Sequence, residues 1–115
     1  MLYVKKFGGT SVGTTERIKN VARTMLEAQK NGNQVVGVVS AMSGETNRLV
    51  DLATQINPQP WSKEYDMLLA SGEQVSVALL ALAINSMGGK ARGLLGHQLG
   101  IMTDSVYSKA RITGI

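Results

Sequence analysis

Cysteine is absent from this sequence, which excludes disulfides, thiolate metal sites and cysteine nucleophiles. Aromatic residues make up only 4% of the chain and proline occurs twice, so a core has to be built from Val, Leu, Ile, Ala and Met. No uninterrupted apolar run reaches the ~18 residues of a membrane span. Met1 leads straight into a strand-like pattern without the charged and apolar regions of a signal peptide. A soluble, cytoplasmic chain without a membrane partner is expected. Basic residues outnumber acidic ones, 12 against 8, but they are scattered, and Lys5-Lys6 is the only adjacent pair. Without an arginine-rich arm or interleaved aromatics, nucleic acid is not an expected partner. The lone histidine, His97, has no partner at ligand spacing, so no metal site of side chains is expected.

What the chain does have is Lys6-Phe7-Gly8-Gly9-Thr10-Ser11-Val12-Gly13, placed after the apolar run Leu2 to Val4 and before a helical pattern from Thr15. In such a strand–turn–helix order, glycine lets backbone N–H groups converge on an anion, and the helix start adds further free N–H groups. Lys6 contributes a full positive charge. The string reads as a phosphate cradle, although the same glycines also suit an ordinary strand-to-helix turn. Neither G-x-x-x-x-G-K-[ST] nor G-x-G-x-x-G is present.

Ile18, Val21, Ala22, Met25 and Leu26 form one helical stripe, capped by Thr14 or Thr15 and ended by Asn31-Gly32. Gln34 to Ser40 carries a near-continuous valine run, as in a strand buried on both faces. Together these make a βαβ unit. A second small-residue turn, Ala41 to Asn47, precedes another helical stripe over Leu49 to Ile56. Ser62 caps a short helix through Leu69, Ser71-Gly72-Glu73 interrupts it, and a largely buried helix runs from Val75 to Gly88-Gly89. Ala91–Leu95, Ile101–Thr103 and Ala110–Ile115 read as short strands. The expected fold is α/β, a mostly parallel sheet with helices on both faces. Residues 8–13, 40–47 and 71–73 fall at or near the rim where such sheets bind ligands.

Val-Val-Ser-Ala-Met-Ser-Gly-Glu-Thr-Asn, Ser-Gly-Glu-Gln-Val and Ile-Met-Thr-Asp-Ser follow the first string in that order. Together the four resemble successive motifs of aspartate kinases, within the amino-acid kinase family, and are closer to the monofunctional enzymes than to those fused to homoserine dehydrogenase. The resemblance covers essentially the whole chain and implies an incomplete three-layer sandwich. It also implies phosphorylation of the side-chain carboxylate of L-aspartate with ATP and Mg2+, the first step towards lysine, threonine and methionine. Carried over, it puts Lys6, Gly8, Gly9 and Thr10 at the phosphates of ATP, with Lys6 catalytic. Ser40 and Thr46 would hold aspartate, and Glu73 would pair with its ammonium group. Structural roles stay open beside these: Ser40 and Thr46 as helix caps, Glu73 as an acid in a first helical turn.

Family catalytic domains are longer, and regulatory ACT domains usually follow. The family's later substrate arginine, catalytic aspartate and adenine segment have no counterpart here. Residues 1–115 are therefore expected to be the N-terminal portion of a catalytic domain, inactive alone, from a homo-oligomeric protein. A related carboxylate kinase and a non-catalytic binding or assembly fragment are the alternatives.

Overall fold

The computed structural model describes every residue from Met1 to Ile115. Strand β1 (Leu2–Phe7) pairs in parallel with β2 (Gln34–Val39), Val4 opposite Val36 and Lys6 opposite Val38. Helix α1 (Thr15–Lys30) makes the crossover between them, completing the expected βαβ unit. Thr14 is its cap: the hydroxyl accepts the Arg17 N–H at 3.1 Å. At the other end Gly32 takes a φ of 85°, open to glycine without strain. After β2 come α2 (Glu45–Ile56) and α3 (Lys63–Ser86), then a short 3-10 turn, Gly96–Leu99.

The core lies between α1 and α3, where Ile18, Val21, Ala22, Leu80 and Ile84 enclose Val12. Both helices also cover one face of the parallel pair. A side chain at Gly37 would come within 2.7 Å of Met25 Cε and 4.0 Å of Leu80 Cδ2, so the Met25 side chain of α1 occupies the space that this bare position leaves and α3 lies in reach of it. On the opposite face Val4, Val36 and Val38 stay exposed, at 66%, 47% and 45%. The α/β class, with a parallel sheet and helices, is as expected; burial of the second strand on both faces is not found in this chain. Valines at successive positions are apolar on both sides of the pleat, and only one side meets a helix here.

Residues 63–86 differ from the sequence reading in continuity. A glycine inside a helix costs about 1 kcal/mol relative to alanine, and Ser71-Gly72-Glu73 reads as a break on that ground. The helix runs through it. Gly72 is buried against Ala41 and Leu49, and Ser71 Oγ donates to the Leu68 carbonyl at 2.6 Å. The continuous α3 is 24 residues long with a mean hydropathy of 1.8 over an 18-residue window, enough by length and composition to cross a membrane. Counting only uninterrupted apolar residues misses this, because Ser71, Glu73, Gln74 and Ser76 dilute the run. The apolar stretch within it is not largely buried either: Leu80 and Ile84 are, whereas Val75 and Leu82 are exposed at 46% and 65%.

Strands β3 (Met102–Thr103) and β4 (Ile112–Gly114) pair antiparallel as a separate sheet. The loop between them is too short for a parallel crossover. Ala91–Leu95 forms no strand. Instead Asn85 grips the Ala91 backbone, its Oδ1 accepting the N–H at 2.8 Å and its Nδ2 donating to the carbonyl at 3.3 Å.

Candidate functional site

Two turns leave the same end of the parallel pair. The first, after β1, is closed by Ser11 N–H donating to the Gly8 carbonyl at 3.1 Å, and it is anchored by Val12, whose side chain is fully buried. The second, after β2, ends at Gly44, whose φ of 79° starts α2 without a side-chain cap. The turns pack edge to edge. A Cβ at Gly9 would lie 3.1 Å from the Ala41 carbonyl oxygen, and one at Gly13 3.3 Å from Ser43 Cβ. Glycine is needed at both positions for this approach.

One consequence concerns the backbone. The amides of Gly8, Gly9 and Thr10, and those of Ala41, Met42, Ser43 and Gly44, donate to no acceptor in the protein. Free amides clustered on adjoining turns, both leading into helix starts, form a donor surface suited to an anion.

Gly9, Ser40, Thr46 and Glu73 line one cavity of about 310 Å³, together with Ala41, Met42, Ser43, Gly44 and Asn47. That volume lies at the lower end of small-ligand sites, ~300–1,000 Å³. No side-chain hydrogen bond within the chain occupies Ser40, Ser43, Thr46, Asn47 or Glu73, whereas nearby Glu45 is tied to Arg48 by two bonds of 2.6 and 3.1 Å. The Arg48 guanidinium holds the Glu45 carboxyl below its usual range, against a smaller opposing desolvation.

The expected residues divide. Gly9, Ser40, Thr46 and Glu73 meet at the cavity, and Lys6, Gly8 and Thr10 are not in its lining. Lys6 stands near the end of β1 on the exposed face and makes no ion pair, the only ion pairs being Lys19–Glu16 and Arg48–Glu45. Two structural roles are excluded. Thr46 lies inside α2, after the cap position, and makes no capping bond; Glu73 lies in the middle of α3, far from any first turn. Ser43 and Asn47 were not singled out from the sequence, though both lie within the second small-residue turn that flagged Ser40 and Thr46. No three Asp, Glu or His side chains lie together.

A βαβ unit with anion-suited turns lies beside a polar cavity with one carboxylate, Glu73, and comparison with known proteins gives the family. The chain belongs to the Amino acid kinase family, which matches residues 1–114. Within that family its relatives are aspartate kinases. It is 55% identical over 114 residues to an aspartokinase of Bacillus sp. (strain MGA3), covering 99% of this chain and 28% of that protein. Identity to an aspartokinase of Pseudomonas aeruginosa is 53% with the same coverage. A crystal structure of aspartate kinase from Synechocystis matches with a TM-score of 0.73 at 56% identity, over 76% of this chain and 15% of that one. The chain thus spans about 28% of the length of these curated relatives.

Proposed function

We propose that residues 1–115 supply the substrate-side part of an aspartate kinase, a phosphotransferase that moves the γ-phosphoryl group of ATP to the side-chain carboxylate of L-aspartate. The observation that carries this is the meeting of Gly9, Ser40, Thr46 and Glu73 at one cavity beside two turns of unsatisfied amides. In this reading residues 1–115 are the N-terminal part of the catalytic domain, and the product enters the route to lysine, threonine and methionine.

The chemistry asks little of a base. A carboxylate nucleophile is already ionised near neutral pH. What it needs is alignment with the phosphorus and neutralisation of the charge on the equatorial oxygens. Free amides at Gly8, Gly9 and Thr10 supply fixed dipoles for the phosphates, and Lys6, unpaired in this chain, supplies a mobile positive charge. Ser40 and Thr46 offer uncommitted hydroxyls to the aspartate carboxylates. Glu73, also uncommitted, faces the ammonium group. Magnesium, which the family uses with ATP, would neutralise phosphate charge when bound with the nucleotide.

The test is steady-state kinetics of the complete protein with Mg-ATP and a panel of carboxylate acceptors. Glu73→Gln is expected to raise the KM for aspartate roughly ten- to hundred-fold, the loss of one charge-assisted bond worth ~1.5–3 kcal/mol. Lys6→Ala is expected to lower kcat while leaving the melting temperature unchanged, since the side chain is exposed and unbonded. An unaltered kcat, or preference for another acceptor, refutes the reading.

A further inference from the structure

Ala41 is held between two glycines. On its carbonyl side a Cβ at Gly9 would come to 3.1 Å; on its methyl side a Cβ at Gly72 would lie 3.1 Å from Ala41 Cβ, 3.5 Å from Leu49 Cδ1 and 3.7 Å from Glu45 Cγ. The 3.1 Å approach to Ala41 Cβ is tighter than ordinary carbon contact, whereas those to Leu49 and Glu45 are not, so an added methyl has to move Ala41 or the helix by a few tenths of an ångström. Ala41 is itself 4% exposed, with the first turn beside its carbonyl, so it is enclosed on both sides. Helix α3 is differently placed. Its far half is fixed through Leu80 and Ile84 against Val21 and Ala22, while Val75 on its outer side is exposed. An added methyl at Gly72 therefore presses on the stretch of helix that carries Glu73.

We infer that Gly72 is a positioning residue for substrate specificity: by letting α3 touch Ala41, it sets how deep the Glu73 carboxylate reaches into the cavity shared with Ser40 and Thr46. This rests on the reading of Glu73 as the partner of the substrate ammonium. The observation is independent of it, because the spacing at Gly72 comes from packing. A helix glycine that served no such purpose is replaced by alanine with a gain in stability, about 0.5–1 kcal/mol from propensity. At this position that gain and the loss of substrate fit are expected to separate.

The experiment compares Gly72→Ala, Ala41→Gly, the double variant and Glu73→Gln in the complete enzyme, with KM for aspartate and for ATP beside thermal unfolding. Gly72→Ala is expected to raise the aspartate KM roughly tenfold, in keeping with a fraction of the ~100-fold that a 1 Å misplacement can cost. The ATP KM should stay within about twofold, and the melting temperature should change little, the helix propensity gained offsetting the displacement. Ala41→Gly removes the opposing methyl and is expected to restore the aspartate KM in the double variant. If Gly72→Ala leaves the aspartate KM unchanged while Glu73→Gln raises it, the inference is wrong and the role of Glu73 survives. If Gly72→Ala lowers the melting temperature and weakens both substrates alike, or if Ala41→Gly does not rescue it, Gly72 is a packing residue only. If Glu73→Gln itself leaves the aspartate KM unchanged, the substrate role of Glu73 falls, and this inference with it.

Discussion

The Arg17 guanidinium, in the first turn of α1, donates a 2.8 Å hydrogen bond back to the carbonyl oxygen of Thr10 in the glycine-rich turn. It has no carboxylate partner, so this bond is its main commitment. The same carbonyl accepts the Gly13 N–H at 3.3 Å, so the tether ties the turn to the start of α1 beside the free amides. Arg17→Ala should therefore weaken nucleotide binding about fivefold, the equivalent of ~1 kcal/mol for one such bond, with little change in helix content. Nucleotide titration alongside circular dichroism tests this; unchanged nucleotide affinity would show the tether to be incidental.

Ser76 carries the one buried side-chain polar atom without a hydrogen-bond partner, and it is fully enclosed within α3. A desolvated, unsatisfied hydroxyl costs about 1–3 kcal/mol, and alanine is also the better helix former. Ser76→Ala is expected to raise the stability of the chain by about 1 kcal/mol in urea denaturation. A drop of similar size would mean that the hydroxyl finds a partner in solution.

Asp66 binds Ser108 across 42 positions of sequence: Oδ2 accepts the backbone N–H and Oδ1 the hydroxyl, each at 3.0 Å. Ser108 is the only non-glycine residue with positive φ, at 60°, a conformation that costs about 1–3 kcal/mol unless its surroundings hold it. Asp66→Ala should release the loop between β3 and β4, raising amide exchange at residues 104–111 by roughly tenfold while α1 exchanges as before. Ser108→Gly, which keeps the backbone bond and removes the strain, should have the smaller effect.

Acid should act on the start of α2. The hydrogen bond from Arg48 depresses the pKa of Glu45 below the model-compound value of 4.5, so folding favours the ionised form. The contribution is fully present above that value and is lost as pH falls through the lower, folded-state pKa. Glu45→Gln should flatten this part of the acid limb of stability. High salt should shrink the difference, because Arg48 is exposed and Glu45 partly so. Equal acid limbs for the two proteins at low salt would contradict it.

Much was legible in the residues themselves. The period of Ile18, Val21, Ala22 and Leu26, the Thr14 cap and Gly32 mark out α1, and β-branched Val35 to Val39 mark β2, because local sterics and side-chain spacing act within a few residues. The glycine-rich string likewise announces a turn able to approach an anion. Tertiary structure decided the rest. That α3 passes through Gly72 unbroken follows from its burial against Ala41, a partner distant in sequence, and propensity cannot register such a contact. The same packing brings Glu73 to Ser40 and Thr46, and frees Thr46 and Glu73 from the capping and first-turn roles their local sequence allows. Spacing along a chain fixes which face a side chain takes; only the docking of one element on another fixes what that face meets.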